Sequence, residues 1–526
     1  MTATPPALDP RPRGAVAVRL GDLAALSPVL QHLPGVVTQT RVSGVTLASS
    51  DVRAGDLYAA LPGQRTHGVR YADAAVEAGA SAVLSDPAGA SELAGRLPVP
   101  VIVADDPRAM LGALAAAIYG QPADAMLTLG VTGTQGKTTV TYLMEAALRA
   151  AGHRPGLVGT TGSLAAGRPI ASRLTTPEAP DLHAILAVMV EQGVDACAME
   201  VSSHALVQGR VDGVRFDVAV FLNLGRDHLD FHGDQESYFA AKAELFAPGR
   251  SLRAVIDVGD PWGRRLAEQL AARGVAHTTC TSVAGPPEDA GPVADWTVHE
   301  VTLHPQASQF TVVGPGGHRQ MCQLPLPGSF NVRNAVAAIA GLVEAGVPLA
   351  AVAAGLSRAV GLPGRMESVD EGQDFTAIVD YAHKPDAVEA VLTALRPATT
   401  GRLLIVLGAG GDRDPGKRPL MAALAAALAD VFVVTDDNPR SEDAAAIRAQ
   451  LLAGVHTARS HAELIEEPDR ARAIARAVRL ARAGDTLVVA GKGHETGQQV
   501  GDVVHPFDDR EVLRRLLRAR VAEAPV

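Results

Sequence analysis

Lys137, Thr138 and Thr139 are the residues of this chain best suited to chemistry on phosphate. They follow the turn Gly133-Thr134-Gln135-Gly136, which is fed by an apolar β-type run from Leu127, and they open an apolar helical pattern. Such a strand–loop–helix aims backbone N–H groups and a helix N-terminus at phosphates. Its lysine offsets β/γ charge, and a threonine hydroxyl can hold magnesium. The usual phosphate-loop spacing places a glycine five positions before the Gly-Lys pair, where this chain has Val131. Gly133 lies inside a shortened cradle instead. The expectation is a nucleoside triphosphate site built from residues 133–139.

The elements that must position these residues fall into three blocks. In the first, β-type runs at 44–47, 56–61, 82–84 and 99–103 alternate with alanine-rich helices, and the Gly/Pro signal at 118–122 marks a linker. The second begins with the phosphate-loop unit and continues with strands expected at 196–201, 218–223 and 253–256. Alternating short strands at 296–303 and 309–313 read as a β-rich elaboration of this central domain. The third starts near Gly361, with strands expected at 376–381, 403–407, 431–435 and 486–490 and a helix at 385–396. Strands alternating with helices predict parallel, doubly wound sheets. The polar loops 382–385, 410–414, 436–440 and 491–495 each follow a strand of the third block, where ligands of open α/β sheets sit. The predicted fold is α/β in three domains. A small N-terminal α/β domain spans 1–124, a central P-loop ATPase-like doubly wound sheet spans 125–361, and a C-terminal Rossmann-like α/β domain spans 362–526.

Composition narrows the function. A chain of 526 residues exceeds one core. Net charge of −10 and 3% aromatic content argue against general nucleic-acid binding. No apolar run reaches membrane-span length. Cys197, Cys280 and Cys322 have neither paired nor metal-like spacing and read as reduced thiols of a cytoplasmic protein. Residues 1–14 read as a loose tail.

Further blocks then become recognisable in order: Met199-Glu-Val-Ser-Ser-His204, Asn223-Leu-Gly-Arg-Asp-His-Leu-Asp230, Gly328-Ser-Phe-Asn-Val-Arg-Asn334, Pro363-Gly-Arg-Met-Glu367, Asp380-Tyr-Ala-His-Lys-Pro-Asp386, Gly410-Gly-Asp-Arg-Asp-Pro-Gly-Lys-Arg418 and Gly491-Lys-Gly-His-Glu495. Together with the phosphate loop they resemble the Mur ligases of peptidoglycan synthesis, in particular the branch that adds a diamino acid to a UDP-N-acetylmuramoyl-dipeptide. The resemblance implies an ATP- and Mg2+-dependent amide ligase acting through an acyl-phosphate, working as a monomer where its domains meet. It implies that Thr138, Glu200, His228 and Lys242 hold magnesium, with Lys242 carbamylated to N6-carboxylysine, and that Lys137, Glu200, His228 and Lys242 are catalytic. Outside that context Glu200 reads as an exposed strand-end carboxylate, His228 as a structural histidine and Lys242 as a snorkelling surface cation. Asn331, Asn334, Arg365, Asp380 and His383 are implied as further ATP contacts.

For the UDP-MurNAc-L-Ala-D-Glu substrate the resemblance implies Leu47 and Ser49, a loop at 63–68, and Thr175, Thr176, Ser202, Gln208 and Arg210. The last is chemically apt, since a guanidinium pairs bidentately with a carboxylate. Ala48-Ser49-Ser50 replaces the family's usual Asp-Ser-Arg. Asp437-Asn438-Pro439-Arg440 resembles the signature for meso-diaminopimelate, with Arg440 pairing the distal carboxylate and Arg413, Gly491 and Glu495 completing the pocket. L-lysine or L-ornithine as the added amino acid remains an alternative, as does another Mur or folylpolyglutamate-type ligase. A nucleotide-dependent switch without ligase chemistry would leave the third block's polar loops unexplained.

Overall fold

The computed structural model describes residues 6–26, 35–63, 66–172, 174–282, 294–304, 306–359, 362–457 and 460–523. Gln64 and Arg65 of the expected substrate loop, Gly361 at the expected third-block boundary and residues 283–293 of the β-rich stretch lie outside them. The chain forms two compact units, one of residues 1–280 with 337–352 and one of residues 281–336 with 353–526.

In the first unit, Gly44–Thr46, Asp56–Ala60, Ala82–Ser85 and Val101–Val103 form a parallel four-stranded sheet in chain order. The helix Pro107–Ile118 ends this part, and Gly120 and Gln121 turn the chain with φ of +74° and +54°. An eight-stranded sheet follows. Its centre is Leu127–Thr132, flanked by Ala196–Glu200 on one side and Phe216–Phe221 on the other, all parallel. These strands are buried almost throughout because helices cover both faces, hence their near-continuous apolar runs. Since the first strand of the sheet lies in its middle, the crevice at its carboxyl end is where a ligand belongs. Pro155–Gly159, Gly162–Ala165, Arg168–Ile170 and His277–Cys280 also join the sheet. Their glycines, prolines and polar residues had hidden them.

The expectation of a loose N-terminal tail is corrected for residues 6–14. The Leu8 N–H donates to the Pro169 carbonyl at 2.7 Å. The Arg11 guanidinium takes Asp56 bidentately, at 3.1 and 3.2 Å, and reaches the Tyr119 hydroxyl at 3.0 Å. The amides of Arg13 and Gly14 donate to the Glu191 carboxylate. A charge-assisted bidentate pair with Asp56, whose side chain is 3% exposed, fixes a segment that local composition leaves polar and shapeless.

The second unit contains an antiparallel three-stranded sheet, Thr297–Leu303, Ser308–Val313 and Arg319–Leu324, packed on the buried Trp296. The stretch read as an elaboration of the central domain thus groups here, together with the first half of the helix Ser329–Glu344. The six-stranded sheet runs in the order Glu367–Ser368, Thr376–Asp380, Thr486–Ala490, Leu403–Leu407, Val431–Val434, Glu463–Glu466. It is parallel except at its first edge. Apolar clusters cover both faces, around Leu392, Met421 and Ala425 on one side and Ile474, Ala477 and Leu513 on the other.

Cys197, Cys280 and Cys322 are buried free thiols, and burial pushes those of Cys197 and Cys322 up to about 12. Among the described residues no helix is long and apolar enough to cross a membrane.

Candidate active site

The phosphate loop leaves the central strand at Thr132 and enters the helix Lys137–Ala150 through Gly136, whose φ of +87° is a left-handed conformation that suits glycine. A Cβ on Gly133 would lie 2.9 Å from the Leu222 side chain. The loop is braced by Asn223, just past the neighbouring strand, which carried no assigned role in the sequence reading. Asn223 Oδ1 accepts from the amides of Thr134 (3.1 Å) and Gln135 (2.9 Å), and its Nδ2 donates to the Gln135 carbonyl (3.1 Å). The Thr134 hydroxyl meets the Tyr238 hydroxyl at 3.1 Å and accepts from the Gly225 amide. The amides of Thr134 and Gln135 therefore hold the loop's own shape instead of facing a phosphate. Asn223→Ala should leave the fold intact while raising KM for ATP about tenfold, roughly the loss of one or two loop-ordering hydrogen bonds. Steady-state kinetics beside a thermal melt check this, and an unchanged KM would show the splint to be dispensable.

Two lysines converge on this loop. Lys137 Nζ donates to the Gly133 carbonyl at 2.7 Å, and Lys242 Nζ donates to the same oxygen at 3.0 Å. Lys242 lies on the helix Gln235–Ala243 with its ammonium 4.6 Å from the centre of the Tyr238 ring. At 1% exposure it is not the snorkelling cation its helical pattern allows.

Glu200, also 1% exposed, ends the strand beside the loop strand, opposite Val131 in register. Its two carboxylate oxygens accept from the Thr160 amide (2.8 Å) and hydroxyl (3.0 Å). A Cβ on Gly159 would approach Glu200 Oε1 to 2.3 Å, so glycine there makes room for the carboxylate. His228 has φ of +52° and a half-exposed ring, with Nε2 3.0 Å from Asp227 Oδ2. His204 meets that ring edge-on at 4.7 Å and stacks on Phe231 at 4.1 Å. Burial first, and then neighbouring cationic groups, lower His204 to about 4 and lower His232 as well, so both are neutral at pH 7. Among the described residues no group of three or more His, Cys, Asp and Glu side chains is gathered as a metal cage. The expected set supplies two residues of those types, Glu200 and His228.

The expected peptide-binding residues come together. The buried Thr176 hydroxyl donates to the Glu200 carbonyl at 2.8 Å and accepts from the Ser202 amide at 3.1 Å, while Thr175 and Thr160 hydroxyls meet at 3.2 Å. Ser202 caps the short helix Ser203–Val207. Arg210 donates to the Thr176 carbonyl (3.1 Å) and Gln208 Oε1 (2.6 Å). Its Nε lies 2.9 Å from Glu178 Oε1, off the N–H axis, and Glu178 Oε2 also takes Arg108 at 3.1 Å. The guanidinium expected to be open to a ligand thus has a resident carboxylate, which sequence spacing gave no way to see. Leu47 and Ser49 follow the first strand of the N-terminal sheet, with Ser49 opening a 3-10 turn.

In the second unit, Asn331 Nδ2 donates to the Pro327 carbonyl at 2.7 Å, and Asn334 Nδ2 reaches Asn331 Oδ1 at 3.4 Å. Asp380 accepts from the amides of Met366 (2.8 Å) and Ala382 (2.7 Å). Burial raises its pKa, against the pull of Arg365 and those amides. Arg365 stacks on Tyr381 at 4.3 Å. His383 Nδ1 donates to the Tyr381 carbonyl at 2.7 Å, and burial, then Lys384 and Lys417, hold the ring well below the usual imidazole range.

Asp437, Asn438, Gly491 and Glu495 lie together, with Arg440 on the same loop as the first two. Arg440 adopts φ of +51°, stabilised by its amide on the Gln499 carbonyl (3.1 Å) and by the Gly501 amide on its own carbonyl (2.7 Å). Its Nη1 donates to the Gly411 carbonyl at 2.6 Å. A Cβ on Gly411 would fall 1.9 Å from the Pro439 carbonyl oxygen, which requires glycine at this loop contact. Asn438 Nδ2 donates to Glu495 Oε2 at 2.8 Å. Arg413 stands apart, exposed, with its nearest contact the carbonyl of Asp412 at 3.5 Å.

A phosphate loop with one buried and one half-buried lysine, a buried strand-end carboxylate and a second α/β unit with polar strand-end loops define an ATP-dependent ligase. Residues 41–119 match the description "Mur ligase family, catalytic domain", 131–342 "Mur ligase middle domain" and 364–493 "Mur ligase, glutamate ligase domain". The chain belongs to the Mur ligase family. It is 51% identical to the UDP-N-acetylmuramoyl-L-alanyl-D-glutamate–2,6-diaminopimelate ligase of Streptomyces avermitilis, covering 97% of this chain and 98% of that relative. A protein of the same name from Streptomyces coelicolor is 52% identical over 91% and 92%. A solved structure of a ligase so named is 30% identical with a TM-score of 0.66, covering 96% of this chain and all of that one.

Proposed function

We propose that this chain joins meso-diaminopimelate to UDP-MurNAc-L-Ala-D-Glu in the cytoplasm, as a monomer, using ATP. The γ-phosphoryl group passes to the dipeptide's glutamyl carboxylate with release of ADP. An amine of the diamino acid then attacks the acyl carbon, phosphate leaves, and the amine proton goes to solvent. Lys137 and the helix N-terminus behind it offset triphosphate charge. Bound magnesium would neutralise the two anions that must approach each other, held by oxygen from Thr138, Glu200 and a carbamylated Lys242 with nitrogen from His228. The donor chemistry fits: Glu200 offers a buried carboxylate at the loop's flank. Gly133, Thr134, Gln135, Gly136 and Thr139 shape the triphosphate cradle, and Asn331, Asn334, Arg365, Asp380 and His383 serve the nucleoside. Leu47, Ser49, Thr175, Thr176, Ser202, Gln208 and Arg210 hold the UDP-linked dipeptide. Arg413, Asp437, Asn438, Pro439, Arg440, Gly491 and Glu495 hold the diamino acid.

The observation that carries the amino-acid choice is the placement of Arg440 and Glu495 about Asn438: Arg440 donates to the Gly411 carbonyl, the Gly411 amide donates to the Asn438 carbonyl, and the Asn438 carboxamide donates to Glu495. One side chain suits a carboxylate and the other an ammonium, the two charges at the distal end of meso-diaminopimelate. L-lysine would leave Arg440 without its anion, a costly vacancy of the kind that gives strong discrimination. Phosphate release with ATP, Mg2+, UDP-MurNAc-L-Ala-D-Glu and, separately, meso-diaminopimelate, L-lysine and L-ornithine tests this. The expected preference is about a hundredfold or more, and Arg440→Ala should cost about 1.5–3 kcal/mol of it. Preference for lysine would sink the assignment of Arg440.

A further inference from the structure

Lys492 is a buried lysine, 0% exposed, that no role above uses. Gly491 and Gly493 flank it with φ of +111° and +54°. A Cβ on Gly491 would meet Asp437 Oδ2 at 2.6 Å, and one on Gly493 would meet the Gly364 carbonyl oxygen at 2.7 Å. The glycines let the loop press against its neighbours. Lys492 Nζ donates to Asn438 Oδ1 at 3.0 Å and to Glu495 Oε2 at 3.2 Å, and lies 3.6 Å from Asp437 Oδ1.

Asn438 Oδ1 also accepts from the Gln499 amide at 2.9 Å. Both neighbours of that atom are obligate donors, so the carboxamide has one consistent orientation, with Nδ2 on Glu495 Oε2. Glu495 thus receives both bonds on Oε2. Among the described residues its Oε1 has no hydrogen-bond partner, and the side chain is 31% exposed. Close by, Arg470 is buried against Asp509 and feels Asp437 and Glu495. Three carboxylates (Asp437, Glu495, Asp509) therefore face two buried cations (Lys492, Arg470), and Arg440 adds a third positive charge to the same group.

We propose that Lys492 is a positioning residue that sets the pocket's charge and turns Glu495 Oε1 toward the ammonium of the incoming diamino acid. This rests on the reading of Glu495 as the ammonium partner. Without Lys492, Asp437 and Glu495 repel each other in a low-dielectric pocket and Asn438 loses a donor that fixes it.

Lys492→Met should raise KM for the diamino acid preferred by the wild type at least tenfold, with KM for ATP and for the UDP-linked dipeptide within twofold. Because Lys492 acts through Glu495, Lys492→Met with Glu495→Gln should bind the diamino acid no worse than Glu495→Gln alone. That comparison decides the matter even if Lys492→Met alone does not fold, since the double variant removes opposite charges together. An unchanged KM in Lys492→Met, or a double variant tenfold worse than Glu495→Gln, overturns the proposal. A wild-type preference for L-lysine overturns the diaminopimelate assignment instead, and the variants are then compared with lysine, which carries the same distal ammonium.

Discussion

Lys242→Ala is expected to lower turnover by about a hundred- to a thousandfold, the usual consequence of removing one preorganised charged group from a reacting centre. Two like charges meet at one backbone oxygen here. Lys137 and Lys242 both donate to the Gly133 carbonyl, and Lys242 is almost fully buried. Two ammonium groups sharing one oxygen are at most ~6 Å apart, which at an effective dielectric of ~20 corresponds to about 3 kcal/mol of repulsion. Reaction of the neutral amine with carbon dioxide forms an N–C bond, releases a proton and yields a carbamate. In such a carbamate the repulsion would become attraction, and the group would offer an oxygen ligand for magnesium beside the loop. Lys242→Arg separates this reading from a simple need for positive charge, because arginine keeps the charge and cannot form the carbamate. It should be as inactive as the alanine variant, with acetate partly restoring Lys242→Ala but not Lys242→Arg. Depleting bicarbonate should lower wild-type activity reversibly, and the intact mass should show one added carbon dioxide. An active Lys242→Arg enzyme would remove the carbamate from the mechanism.

Lys242 also shows where reading the sequence stops. Its motif is local and legible, yet its burial depends on Gly133, more than a hundred residues earlier, and a helical pattern alone permits a surface lysine. The phosphate loop was readable because strand, turn and helix are contiguous, and strands such as Leu403–Leu407 and Thr486–Ala490 were readable because burial on both faces leaves continuous apolar runs. Pro155–Gly159 is equally buried, but two glycines and a proline within five residues imitate a turn. Asn223, Glu178 and Lys492 were missed for a common reason. Each has a partner distant in sequence, the first the loop amides at 134–135, the second Arg108 and Arg210, the third Asn438 beside its near neighbour Glu495. Arg11 belongs with them, since Asp56 and Tyr119 turn a polar N-terminal stretch into ordered structure.

Asp509→Ala should destabilise the C-terminal part of the protein by about 3–5 kcal/mol, the range for breaking a buried ion pair at one end. Both side chains of the Arg470–Asp509 pair are 0% exposed, and the contact is bidentate, at 2.7 and 2.8 Å. Asp509 also stands in the first turn of the helix Asp509–Glu523, where a carboxylate meets the positive end of the helix dipole. Removing it leaves the guanidinium, which burial disfavours and Asp509 chiefly stabilises, to Asp437 and Glu495. Those acids soften the loss and set the expectation nearer the lower bound. At roughly 2–4 °C per kcal/mol for a domain of this class, the corresponding thermal transition should fall by about 10 °C. The consequence reaches the pocket, because Arg470 Nη2 donates to the Ala490 carbonyl at 2.8 Å and Nη1 approaches that of Asp436 at 3.5 Å. Those carbonyls immediately precede Gly491 and Asp437, so KM for the diamino acid should rise along with the loss of stability. Replacing both partners with apolar residues of similar size, Arg470→Met with Asp509→Leu, should recover much of the transition temperature but not KM, because no guanidinium then holds the two loops. A thermal transition in Asp509→Ala within about 2 °C of the wild type would show that Asp437 and Glu495 suffice to neutralise Arg470, and that the buried pair is not what anchors these loops.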